Sequence, residues 1–233
     1  MKKNAIALFL TVSIASAIVF TSGCKKDDTT APVITLTGNA AITLSLNSAA
    51  WSDPGAAASD ATDGSTTVTS DASSTNPNVN LVGVYTVTYT STDAAGNVGT
   101  ATRTITVKND AEAFAGVYTI NDTTGGGTPY IYTDTITADL SINNRIHFKR
   151  FNDYANNTGI YATRLANGNL EIPSQTALNI GTAQNPPVAC DIANHTFASS
   201  FYASTATGFG LVFTDVNMCN SQAITFGQVY TKH

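Results

Sequence analysis

Three groups of side chains in this 233-residue chain have the types and spacing to do chemistry. Asp60, Asp63 and Asp93 lie in turns rich in Asp and Gly. Their carboxylates would suit a hard cation such as Ca²⁺, which takes oxygen ligands. The same residues also favour turns unaided, because Asp bonds its local backbone and Gly tolerates positive φ. No EF-hand spacing accompanies them, so turn chemistry is the reading adopted and no metal or cofactor is assigned. Cys190 and Cys219 could pair as a disulfide in an oxidising compartment, contributing roughly 3–4 kcal/mol in the chain-entropy view, or stay as two buried thiols. Arg145, Lys149, Phe151, Asn152 and Tyr154 bring basic, amide and aromatic groups into one stretch, which suits the rim of a site for a sugar or small apolar ligand.

Catalysis finds little support. The histidines His147, His195 and His233 have no metalloprotease-like pairing. There is no Gly-x-Ser-x-Gly elbow, and Gly125-Gly126-Gly127 lacks the lysine of a phosphate loop. Glu171 and Asp153 could be combined into a glycosidase-like couple, but nothing in the spacing selects them. The expectation is a non-enzymatic protein. A structural or adhesive surface protein and a carbohydrate-active enzyme are the alternatives.

The elements that must position these groups are β-strands. Tyr85, Val87 and Tyr89 alternate with Thr86, Thr88 and Thr90, the period of a half-buried strand. Asp93-Ala94-Ala95-Gly96-Asn97 reads as a turn, with Val98 to Val107 returning as its hairpin partner. Val33, Ile34 and Leu36, then Ile42, Leu44 and Leu46, supply earlier strands. Beyond the polar joint Lys108-Asn109-Asp110, strands are expected at 114–120, 130–140, 145–151, 161–165, 170–172, 196–202, 208–214 and 223–230. Asn167-Gly168 is a two-residue hairpin signal. Charged residues make up 12% of the chain and the net charge is -5, so no basic patch invites nucleic acid.

The N-terminus carries a different message. Lys2 and Lys3 precede an apolar run from Ala5 to Phe20, followed by Thr21-Ser22-Gly23-Cys24. The run is short for a bilayer span of ~20 residues and has a leader's basic front. This order resembles a bacterial lipoprotein signal peptide over residues 1–23, with Cys24 as the lipidated first residue of the mature chain. The resemblance implies a membrane partner through that lipid, since each buried methylene contributes ~0.8 kcal/mol. Residues 24–31 then form a polar tether. Its Lys25-Lys26-Asp27-Asp28 resembles the export tags of surface-displayed lipoproteins, which implies an outer-membrane, outward-facing location.

Pro32-Val33-Ile34, Trp51-Ser52-Asp53-Pro54-Gly55-Ala56, Asp60-Ala61-Thr62-Asp63-Gly64, Gly83 to Tyr89, Thr92 to Asn97 and Arg103-Thr104-Ile105-Thr106-Val107 occur in that order. Together they resemble a bacterial immunoglobulin-like domain of the hyalin-repeat and pesticidal-crystal-protein type, over residues 32–108. The resemblance implies a sandwich of about seven strands that acts as a spacer or adhesion module without catalysis. Residues 109–233 allow an antiparallel β-barrel-like domain. Phe114 to Tyr118, Ile172 to Gln175 and Phe226 to Tyr230 are similar to lipocalin-like surface domains, with Tyr118 where lipocalins carry tryptophan. The whole is then an all-β protein: an Ig-like spacer presenting a C-terminal binding domain to a glycan, a small apolar ligand or a protein partner.

Overall fold

A computed structural model describes residues 27–122, 129–153, 159–177, 195–205, 207–217 and 222–233. Residues 1–26 with Cys24, and Tyr154, Cys190 and Cys219, lie outside them, as does the side chain of Asn152.

The first unit contains β1 (Val33–Leu36), β2 (Ala41–Ser45), β3 (Ala56–Asp60), β4 (Gly64–Thr66), β5 (Val68–Ser70), β6 (Gly83–Thr92) and β7 (Val98–Lys108). They form two sheets, β1-β3-β4 and β2-β7-β6-β5, and the chain crosses between sheets at Thr67. The expected hairpin is present, with Tyr85 opposite Ile105 and Thr88 opposite Thr102. Val87, Tyr89 and Ile105 are buried between the sheets, with Ile34, Leu44 and Trp51 packed against them. The short strands β3, β4 and β5 are built from Ala, Ser and Thr, and no apolar alternation announces them. β2 runs parallel to β7, an exception in an otherwise antiparallel unit.

One inward position of β7 is unexpected. Arg103 is fully buried, at 0% exposure. Its Nε donates to Tyr89 Oη at 2.9 Å, and its two Nη atoms reach the carbonyls of Thr37, Asn39 and Gly55. Tyr89 in turn donates to Asp53 Oδ1 at 2.5 Å. Burial alone would raise the Asp53 pKa, but bonds from Tyr89, Gly55 and Ser70 and the nearby Arg103 charge bring it below its usual value. A buried charge needs this degree of pairing to be tolerated. Asp53, Tyr89 and Arg103 thus tie three of the sequence motifs into one network.

The second unit is a curled sheet of nine strands: β8 (Gly116–Asp122), β9 (Tyr130–Ala138), β10 (Arg145–Phe148), β11 (Tyr161–Arg164), β12 (Leu170–Glu171), β13 (Gln175–Ala177), β14 (His195–Thr205), β15 (Gly208–Asn217) and β16 (Gln222–Lys232). Neighbours follow chain order, and β16 returns to pair with β8. The two edge strands, β12 and β13, are separated only by Ile172, Pro173 and Ser174. One segment therefore pairs first with β11 and then with β14. Proline lacks a backbone donor and suits such a switch. The Gln175 side chain takes over the missing ladder. Its Oε1 accepts from Tyr161 N at 3.1 Å and its Nε2 donates to Tyr161 O at 2.7 Å.

The interior between the described strands is packed. Tyr118, Ile120, Ile136, Ile146, Phe148, Phe151, Leu211, Phe213 and Tyr230 belong to one buried cluster. The β11–β12 loop departs from the two-residue expectation. Leu165 N bonds Asn169 O at 2.7 Å, leaving Ala166, Asn167 and Gly168 as a three-residue loop with Gly168 at φ +88. A glycine in that conformation suits a three-residue hairpin loop.

The joint is built rather than loose. Asn109 is 2% exposed. Its Nδ2 lies 2.8–3.1 Å from the carbonyls of Asp139, Ile142 and Arg145. Its Oδ1 accepts from Ala111 N and Asn144 N, each at 2.9 Å. Across the same seam Val82 N donates to Leu140 O at 2.9 Å and Asn143 N to Asn47 Oδ1 at 3.0 Å. The β9–β10 loop of the second unit is thereby docked on the end of the first.

Candidate functional site

Of the aromatic–basic stretch, the side chains of Arg145, Lys149 and Phe151 are described. Phe151 is fully buried, at 0% exposure, against Phe148 and Phe213 at ring separations of 5.0 and 4.6 Å. It is core, and its assignment to a ligand rim is corrected: a large apolar ring gains more from burial than a rim offers. Arg145 lies at the joint end of β10 and stacks over Tyr161 at 3.9 Å. Lys149 is exposed just beyond the opposite end of that strand, about 13 Å away at ~3.3 Å per residue.

A different set gathers at the end of the curled sheet away from the joint. A 3-10 turn over Phe151–Asp153 places Asp153 at φ +56 with its carboxylate mostly buried. Arg150 pairs with Asp153 Oδ1, and the Tyr130 hydroxyl donates to Asp153 Oδ2. That bond to a carboxylate, with burial, raises the Tyr130 pKa. The Tyr130 ring is 56% exposed and lies 5.9 Å from that of Tyr132. Beneath them Asp134 Oδ1 accepts from Thr135 N at 2.6 Å and Arg150 N at 2.7 Å, while its buried Oδ2 has no partner. Burial pushes the Asp134 pKa up to about 6, against the lowering effect of those amides. Tyr130 was legible as an aromatic; its partner Asp153 was not, because a turn aims it.

His147 accompanies Asp139 at 2.8 Å near the joint, and Glu171 is exposed on β12. Glu171 lies on β12, whereas Asp153 lies in the 3-10 turn after β10, bonded to Arg150 and Tyr130.

The other polar cluster sits at the opposite end of the molecule. The β3–β4 turn carries Asp60 and Asp63, and the β6–β7 hairpin carries Asp93. Turn chemistry is present as expected: Asp60 Oδ1 accepts from Thr62 N at 2.7 Å and Asp63 N at 3.0 Å. Asn97 donates to both Asp93 oxygens at 2.8 Å. Burial would raise the Asp93 pKa, but the bonds from Asn97, Ala95 and Gly96 outweigh it and the net direction is down. Asp63 Oδ2 accepts from Ala94 N at 2.8 Å, joining the two turns. The tether adds a fourth carboxylate, Asp28, whose carbonyl accepts from Asn97 Nδ2 at 3.1 Å. One oxygen from each of Asp28, Asp60, Asp63 and Asp93 lies within 4.8 Å of the others.

The first unit is thus two sheets of three and four strands with the Asp53–Tyr89–Arg103 network between them. Residues 34–107 match the family described as bacterial surface protein, Ig-like domain. This Ig-like domain fits a cell-surface protein and a cell-envelope location. Among solved structures, the crystal structure of a lipoprotein from Bacteroides thetaiotaomicron is similar at a TM-score of 0.30 and 16% identity, covering 86% of this chain and 100% of that one. No curated protein matches the chain.

Proposed function

We propose that the chain is a lipid-anchored, non-enzymatic protein of the outer cell surface, whose Ig-like domain holds the curled sheet out toward a partner. The observation that carries this reading is the pairing of a docked joint with an exposed distal aromatic. Asn109 satisfies five backbone groups at the seam, so the two units act as one stiff spacer. Tyr130, Arg150 and Asp153 then stand at the far end. An exposed ring beside a fixed carboxylate and a guanidinium fits the apolar face and hydroxyls of a sugar. The packed interior argues for a surface-bound glycan rather than an enclosed apolar ligand. Cys24 is the lipid site in this reading, with the tether leading directly into β1.

A glycan array probed with the purified chain tests it, read alongside Tyr130→Ala. Retention of specific glycans by the native chain and loss of at least about ten-fold in Tyr130→Ala is the expected result. Equal signals for the two proteins would remove the distal site. Cys24→Ser should move the protein from the membrane fraction to the soluble fraction and end fatty-acid labelling. Unchanged fractionation would refute the anchor.

A further inference from the structure

We propose that the carboxylates of Asp28, Asp60, Asp63 and Asp93 form a calcium site that clamps the tether onto the Ig-like domain. The proposal stands independently of the glycan reading.

Proximity is the first observation. Four carboxylate oxygens from three separate segments lie within 4.8 Å of one another. Opposite ligands of a Ca²⁺ ion, each at roughly 2.4 Å, stand about 4.8 Å apart, so one ion can touch all four. The second observation is independent of proximity. Asp60 is only 5% exposed, and its Oδ2 is buried without a hydrogen-bond partner. Turn chemistry accounts for Asp60 Oδ1 and leaves Oδ2 unexplained. Asp28 Oδ2 is likewise buried and unpartnered. A buried carboxylate oxygen with no donor is costly, and crowding it with three more carboxylates adds repulsion. No Lys or Arg pairs with any of the four among the described residues. A divalent cation supplies the missing partner of Asp60 Oδ2 and Asp28 Oδ2 and offsets the charge of all four carboxylates at once.

The donor set identifies the ion's class. The cluster is carboxylate only, which selects a hard cation over zinc or copper. Four carboxylates converging from three segments suit Ca²⁺, which accepts irregular, largely protein-built shells. Mg²⁺ holds to a tight octahedron and keeps most of its water.

The site's position gives it a role. Asp60 and Asp63 come from the β3–β4 turn, Asp93 from the β6–β7 hairpin and Asp28 from the tether. The tether already runs close against β7: a Cβ on Gly99 would lie 2.0 Å from the Pro32 carbonyl oxygen. A bound ion fixes the chain at Asp28, upstream of β1, and so sets how the Ig-like domain leaves its attachment.

The test uses the full chain, purified in detergent and stripped with a calcium chelator, then titrated with CaCl₂ and separately with MgCl₂ by calorimetry. One Ca²⁺ per chain is expected, with Kd between about 10⁻⁶ and 10⁻³ M and Mg²⁺ at least about ten-fold weaker. Asp60→Asn and Asp28→Asn should each weaken Ca²⁺ at least about ten-fold. Hydrogen exchange of the segment 27–32 should slow on adding calcium. Absence of saturable heat up to about 10 mM CaCl₂, in protein folded by circular dichroism, overturns the site. Affinity or exchange unchanged in Asp28→Asn overturns the clamp. That variant decides the matter even where Asp60→Asn fails to fold, because Asp28 lies outside the sandwich.

Discussion

The two ends of the Ig-like domain handle buried polar groups in opposite ways. At the joint, one amide, Asn109, meets three carbonyls and two N–H groups, so both ends of its side chain are satisfied. At the tether end, four carboxylates converge and Asp60 Oδ2 finds no donor. A neutral amide can close a seam by itself, since it both donates and accepts. Carboxylates only accept, so a cluster of them is finished by something from outside. The contrast separates a seam centred on a satisfied neutral amide from a cluster of acceptors that leaves Asp60 Oδ2 and Asp28 Oδ2 without donors.

Between the two ends lies Arg103, which calibrates both. Arg103→Ala removes the partner of Tyr89 and of three carbonyls and leaves Asp53 short of a charge. A loss of about 3–5 kcal/mol is expected, measured by urea unfolding. A loss under about 1 kcal/mol would show that burial does not make these bonds count.

Asn109→Ala strands the carbonyls and amides of the seam, and a loss of about 3 kcal/mol is expected by the same measurement. The β9–β10 loop should also gain hydrogen exchange. If Asn109→Ala is neutral, the five bonds of Asn109 do not hold the joint.

Asp134 gives a third case: a buried carboxylate with one orphan oxygen and no cluster around it. Its folded pKa, about 6, lies above the ordinary aspartate value of about 4. The folded state therefore holds the proton more tightly. Stability from Asp134 is full below about pH 4, falls as pH rises to about 6 and is flat beyond, by roughly 2–3 kcal/mol in all. Asp139 runs the other way. Burial would raise its pKa, but bonds from His147, Ser141 and Ile142 carry it well below the usual carboxylate range. Its contribution is present above about pH 4 and is lost as pH falls further. Unfolding midpoints from pH 3 to 8 should thus show two separate windows, and Asp134→Asn should flatten only the upper one.

Asp60→Asn distinguishes the two ends most directly. The amide keeps Oδ1 for Thr62 and Asp63 and offers a donor to the other carboxylates. In chelator the variant should gain about 1 kcal/mol, whereas Asn109→Ala loses under every condition. A loss in chelator would mean the cluster is already satisfied. The smallest effect is the coupling between ends. β7 runs from Val98 to Lys108, placing them about 30 Å apart. The double variant Asp60→Asn, Asn109→Ala should add to within about 0.5 kcal/mol.

Period-2 alternation made β6 and β7 legible residue by residue, because side-chain direction on a strand is a local property. The motifs around Trp51, Asp93 and Arg103 likewise pointed to the Ig-like domain, since turn residues and strand faces are read locally. β3, β4 and β5 were not legible, for Ala, Ser and Thr carry no apolar signal and only the neighbouring strands fix them. Phe151 read as rim and is core, because a 3-10 turn after β10 redirects it inward. Asp28 read as part of an acidic tag, and nothing near it hints at Asp60 or Asp93. The sequence by itself determined the all-β class of the chain and the strand pattern of its Ig-like domain. Tertiary structure alone decided which distant groups meet: Asp53 with Arg103, Gln175 with Tyr161, and Asp28 with three carboxylates more than 30 residues on. Strand periodicity is encoded over a few residues, whereas these meetings depend on how whole sheets curl and stack.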